Sequence, residues 1–164
     1  MHPRRPSPHR AAGVVALLAV TTLAAGCGSD DVEVRGTGVT GTARTACEKL
    51  VAALPDRVAD QPRRTTSGSS PSAAWGDPAI VLRCGVGAPA QSDLTSQCQV
   101  ANGLGWFVPV AGMNDQSTDV VMTTIERRPR VEVTLPARYR PPVAAMVDLG
   151  KAIKAHTRLV APCS

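Results

Sequence analysis

Aromatic side chains are almost missing from this chain. Its 164 residues hold two tryptophans, one tyrosine and one phenylalanine. A core must therefore be assembled mainly from Val, Leu, Ile and Ala, with Trp75, Trp106, Phe107 and Tyr139 as its few large pieces. Histidine is nearly as scarce, and His156 is the one imidazole beyond the first ten residues. No two cysteines have CxxC spacing, and no His, Asp and Glu fall together at metal-ligand spacing, so no metal site is expected. Gly-x-Ser-x-Gly and Ser-x-x-Lys motifs are absent, as are glycine-rich phosphate loops and internal repeats. No catalytic residue and no cofactor can be assigned from such a sequence.

One long apolar run is present, and it is N-terminal. Arg4, Arg5 and Arg10 precede the apolar residues 11–25, which Gly26 and Cys27 close. This three-part pattern is that of an export signal, and it is short for a permanent membrane span. The ending Leu23-Ala-Ala-Gly-Cys27 also has the form of a lipobox, with small residues before the cut and a thiol to take the lipid. Leu23 stands four residues before Cys27, where three is commoner. The alternative is an ordinary secreted chain cut near Ala25, which would leave Cys27 an odd thiol. The expected organisation is a signal peptide over 1–26, a flexible tether over 27–44 rich in Gly and Thr, and one domain over 45–164. Lipidation at Cys27 would hold that domain on the outer face of the cytoplasmic membrane. Without the three leader arginines, 15 basic residues face 13 acidic ones, so the basicity is no argument for nucleic acid.

Cys47, Cys84, Cys98 and Cys163 remain, and four cysteines in an exported chain read as two disulfides with three possible connectivities. Thr45 with Glu48 fits a capping box, and Cys47, Leu50, Val51, Leu54 and Val58 make one helical stripe that Pro55 ends or kinks. Arg63 to Thr66 could form an edge strand, with a loop over 67–72. In residues 79–86, Ile80, Leu82, Cys84 and Val86 alternate with Val81 and Arg83, as in a central strand. Asn102-Gly103 predicts a type I′ turn between strands over 97–101 and 104–110. Strands follow at 120–127 and 130–135. Pro141-Pro142 opens a helix that runs to about Val160. The expected fold is α+β: a mostly antiparallel sheet of four to five strands packed against an N-terminal and a C-terminal helix. On that order of elements the preferred pairing is Cys84–Cys98, within neighbouring strands, and Cys47–Cys163, joining the two helices.

Several segments together carry a resemblance. They are Ala46-Cys47 with Leu50, Leu54-Pro55 and Val58; Arg63-Arg64; Ala74-Trp-Gly-Asp-Pro78; Val81-Leu-Arg-Cys-Gly85; Gly105-Trp-Phe107; Arg128-Pro129 with Val131-Glu-Val133; and the terminal Pro162-Cys163. The set resembles the actinobacterial family called domain of unknown function 3515, over about residues 44–163. The resemblance implies an envelope protein, often lipid-anchored, and implies no activity.

The candidate ligand surface is Trp75, Asp77, Arg83, Arg63 and Arg64. Asp77 sits in a Gly-Asp-Pro turn, where capping the turn's amides is its ordinary role. With Glu126 or Glu132 it would make a carboxylate pair for glycan hydrolysis, and Trp75 or Trp106 could stack on a sugar. Both tryptophans equally suit a core short of aromatics. The arginine groups 57/63/64, 127/128/130 and 138/140 suit anionic lipid or phosphate, or a solvated face. Arg83, on a central strand, needs a partner or an open sheet face. The expectation is a non-enzymatic lipoprotein binding an envelope protein or a cell-wall component, with a carboxylate-dependent hydrolase or a structural accessory subunit as alternatives.

Overall fold

The computed structural model describes Met1 and residues 31–89 and 98–161; the leader, Cys27 and Cys163 lie outside these. A short strand β1 (Val32–Glu33) precedes helix α1 (Gly41–Ala52). Strands β2 (Arg57–Val58), β3 (Gln61–Arg64), β4 (Thr66–Ser67), β5 (Ser72–Trp75) and β6 (Ile80–Val86) follow. The hairpin β7 (Cys98–Ala101) and β8 (Leu104–Phe107) leads to a single helical turn, α2 (Val110–Asn114). The chain ends with β9 (Val120–Thr124), β10 (Arg127–Arg128), β11 (Arg130–Leu135), helix α3 (Val143–His156) and β12 (Arg158–Leu159). Eight strands form one antiparallel sheet in the order β2-β3-β5-β6-β11-β9-β8-β7. Two small ribbons, β1 with β4 and β10 with β12, sit beside it.

Strand alternation sorts the side chains. Ile80, Leu82 and Cys84 of β6 lie on one face with Val131, Val133 and Leu135 of β11 and Met122 of β9, and all are buried. Cys47 and Leu50 of α1 and Met146, Leu149 and Ile153 of α3 join this cluster, so both long helices cover the same face. The terminal helices and the antiparallel sheet are as expected. The strand expected near Arg63 to Thr66 is β3, and the sheet is larger than four to five strands because β2 and β5 also come from residues 57–75. That stretch is mostly Arg, Thr, Ser and small residues, with no apolar alternation to mark strands. The Asn102-Gly103 turn holds, with φ of 49° and 70°.

Helix α1 starts at Gly41, earlier than the Thr45-Glu48 signal suggests. Glu48 is paired with Arg44 at 2.9 Å instead of capping. The segment expected as tether is docked from residue 31 onward. Val32 and Val34 amides donate to Thr65 and Ser67 carbonyls at 3.0 Å, and Val34 is buried. Val39 then crosses Gly85, whose φ is +87°; a Cβ there would lie 2.5 to 2.9 Å from the Val39 side chain. Gly85 is thus required by both backbone and space.

The disulfide pairing also differs. Cys47 is bonded to Cys84, with Cα atoms 5.5 Å apart. The expected Cys84–Cys98 and Cys47–Cys163 bridges are therefore not formed. Cys84 faces α1, whereas Cys98 falls on the opposite sheet face and on the edge strand. Four strand spacings separate β6 from β7, about 19 Å, far beyond disulfide reach. Cys98 is itself disulfide-bonded.

Candidate functional site

With both helices on one face, the other face of the sheet carries its own row of residues. Register aligns Ser72, Arg83, Glu132, Thr123, Phe107 and Cys98 across six adjacent strands. Arg83, Glu132, Thr123 and Phe107 floor a cavity of about 390 Å³, walled by Thr37 and by the 86–89 segment. Arg83 donates through Nε to Glu132 Oε1 at 3.0 Å and through Nη2 to the same oxygen. Their side chains are 29% and 19% exposed, so each charge is paired yet open to the cavity. Arg83 thus has both the partner and the open face that a strand arginine requires. Thr37 fixes the rim: its hydroxyl donates to the Cys84 carbonyl at 3.0 Å, and its amide to the Ser70 hydroxyl at 2.6 Å.

The other candidate residues lie elsewhere. Trp75 is fully buried on the helix-covered side and donates its indole N–H to the Pro55 carbonyl at 3.0 Å. The Arg63 guanidinium stacks over that ring at 5.6 Å and donates to the Leu54 and Val51 carbonyls, closing the C-terminus of α1. Arg64 and Asp77 meet loosely at 3.9 Å at the β5–β6 turn, with the Asp77 side chain 91% exposed. Trp106 is fully buried as well. Of the five residues, Arg83 alone enters the cavity; the rest have structural duties or sit in solvent.

The carboxylates do not assemble into a pair. Arg83 is three positions along β6 from Ile80, roughly 10 Å, and Asp77 lies beyond Ile80, away from Glu132. Glu126 is at the other end of β11 and accepts the Gly105 N–H at 2.8 Å. Glu132 is the one acid lining the cavity among the described residues. No cluster of three metal-binding side chains occurs among them either. His156 occupies the last turn of α3, as its sequence position suggests. The sequence marks Phe107 only as a core aromatic and gives no local signal for Thr123 or Thr37. Only cross-strand register, and the path of the N-terminal segment, bring them beside Arg83.

These features define a small disulfide-stapled α+β domain with both long helices on one sheet face and a polar cavity on the other. The chain belongs to the family of proteins of unknown function designated DUF3515, whose family model matches residues 10–161. No curated protein and no solved structure matches the chain.

Proposed function

We propose that the protein is a non-enzymatic binding lipoprotein of an actinobacterial envelope, anchored through Cys27 on the outer face of the cytoplasmic membrane. Its ligand lies on the sheet face opposite the two long helices. The observation that carries this reading is the cavity floored by the Arg83–Glu132 pair. The basic, apolar and lipobox-like leader supports the anchor, and a buried disulfide fits an oxidising compartment. A ligand bearing both a carboxylate and an ammonium replaces the internal pair charge for charge and leaves neither residue unpaired. Short cell-wall peptides have that chemistry.

The test is a calorimetric titration of the full mature protein with soluble cell-wall peptide fragments. Saturable binding is expected, weakened at least about tenfold when Arg83→Met and Glu132→Met are combined. Removing both partners avoids leaving a lone charge, so the fold should survive. Equal binding by that double variant, or no binding of any fragment, would overturn the proposal.

A further inference from the structure

One end of the sheet gathers arginines that face each other rather than acids. Strand β4 lies past the end of β3, beside the start of β5, the end of β6 and the start of β11. The first described residue of the domain, Asp31, is at this end and accepts a hydrogen bond from the Thr65 hydroxyl. It is four positions from Cys27, at most about 14 Å of extended chain. The β10–β12 ribbon is at the same end, next to the start of β11. There Arg128 is directly opposite Arg158, a like-charge pairing that is unfavourable in a ladder. Arg130 follows, and its buried Nε has no hydrogen-bond partner. Burial, and next the Arg128 charge, lower its pKa. Among the described residues none of the three arginines forms an ion pair, and Arg128 donates through Nη1 to the Arg127 carbonyl at 2.9 Å. Leu159 and Val160, beside Arg158, are 51% and 41% exposed. The acids at this end include Asp31, Glu33 and Glu48, the last held by Arg44. At the opposite end the exposed Asp60, Asp77 and Asp115 each have an arginine beside them, Arg57, Arg64 with Arg138, and Arg140, so that end is close to balanced.

We infer that the end of the sheet bearing Arg128, Arg130 and Arg158 lies against the membrane, where these arginines take the phosphates of anionic phospholipid headgroups. This rests on the anchoring at Cys27 proposed above. The short chain between Cys27 and Asp31 gives the domain no room to turn over. Exposed aliphatics flanked by arginine are the composition of an interfacial contact. An anionic surface attracts this end, each arginine contributing about fivefold in partition, whereas the other end, with its aspartates matched by arginines, is attracted little.

The mature protein is purified from its membrane and placed in discs of phosphatidylcholine, with or without 30 mol% phosphatidylglycerol (a probe composition). Hydrogen exchange is expected to slow at residues 126–131 and 158–161 in the anionic discs only. Dihexanoylphosphatidylglycerol, added below its micelle concentration to the purified protein, should bind. Its affinity should fall about 100-fold when Arg128→Gln, Arg130→Gln and Arg158→Gln are combined, and about tenfold in Arg158→Glu. Arg158 is exposed and makes no ion pair with a described residue, so that variant keeps the test alive if the triple one misfolds. The mass of the N-terminal peptide reports acylation of Cys27 separately. If acylation is absent, the anchoring fails and the membrane assignment with it, while the short-chain titration still reads the arginines by themselves. Equal protection in both discs, or no change in Arg158→Glu, overturns the inference. So does inorganic phosphate binding as tightly as the lipid, which would make this a free-anion site.

Discussion

Replacing Cys47 and Cys84 together by alanine should remove much of the stability of this domain. The bridge closes a span of 37 residues. The loop-closure relation for that length gives about 13 cal/mol/K, or about 4 kcal/mol at 25 °C. Both cysteines are fully buried between α1 and β6. Losing each sulfur adds a small void, about 1 kcal/mol by comparison with a lost methylene. The expected loss is therefore about 4 to 6 kcal/mol, against a total of about 5 to 15 for an ordinary domain. Urea unfolding of the wild type and the double variant measures it, as a drop in midpoint. Cys98 stays disulfide-bonded in this experiment, so no free thiol from it confuses the comparison. A loss below about 1.5 kcal/mol with an unchanged m-value would show that the bridge does not constrain the unfolded chain as argued. A non-reducing peptide map joining Cys84 to Cys98 would refute the strand order itself.

Two further substitutions probe the joints that hold the sheet to its surroundings. Gly85→Ala meets both the positive φ and the Val39 side chain, and should cost at least about 2 kcal/mol in thermal unfolding. Adding Val39→Ala should recover the contact part and leave about 1 kcal/mol of backbone strain. Arg63→Ala removes two hydrogen bonds at the end of α1 and the stack on Trp75, and should cost about 2 kcal/mol by chemical denaturation. Arg63→Lys should restore less than half of that, since a single ammonium cannot replace the planar fork.

The most recognisable stretch of the sequence, Trp75 to Val86, proved informative about the core and much less so about the site. Trp75 and Asp77 stand out in it, yet one is packed beneath α1's end and the other is a solvated turn residue. Arg83 was legible as a charge needing a partner. Its partner Glu132 lies 49 residues away. No local pattern joins them, because only the pairing of β6 with β11 does. The same holds for the cysteines. In sequence Cys84 and Cys98 look like neighbours, but β11, β9 and β8 are inserted between their strands.

By itself the sequence determined the elements whose signal is local. Alternation in 79–86 and 130–135, the Asn102-Gly103 turn, the stripe Cys47-Leu50-Val51 of α1 and the proline start of α3 all act over a few residues, through side-chain period and backbone φ, whereas Val58 falls in β2 and α3 stops at His156, short of Val160. The tertiary structure decided what those elements face. It set the order of the eight strands, the Cys47–Cys84 bridge, the docking of residues 31–40, and the row that places Glu132 beside Arg83. Each of these is a contact between residues far apart in the chain. Burial of a shared apolar face selects them, and that selection is made only when the whole sheet is assembled.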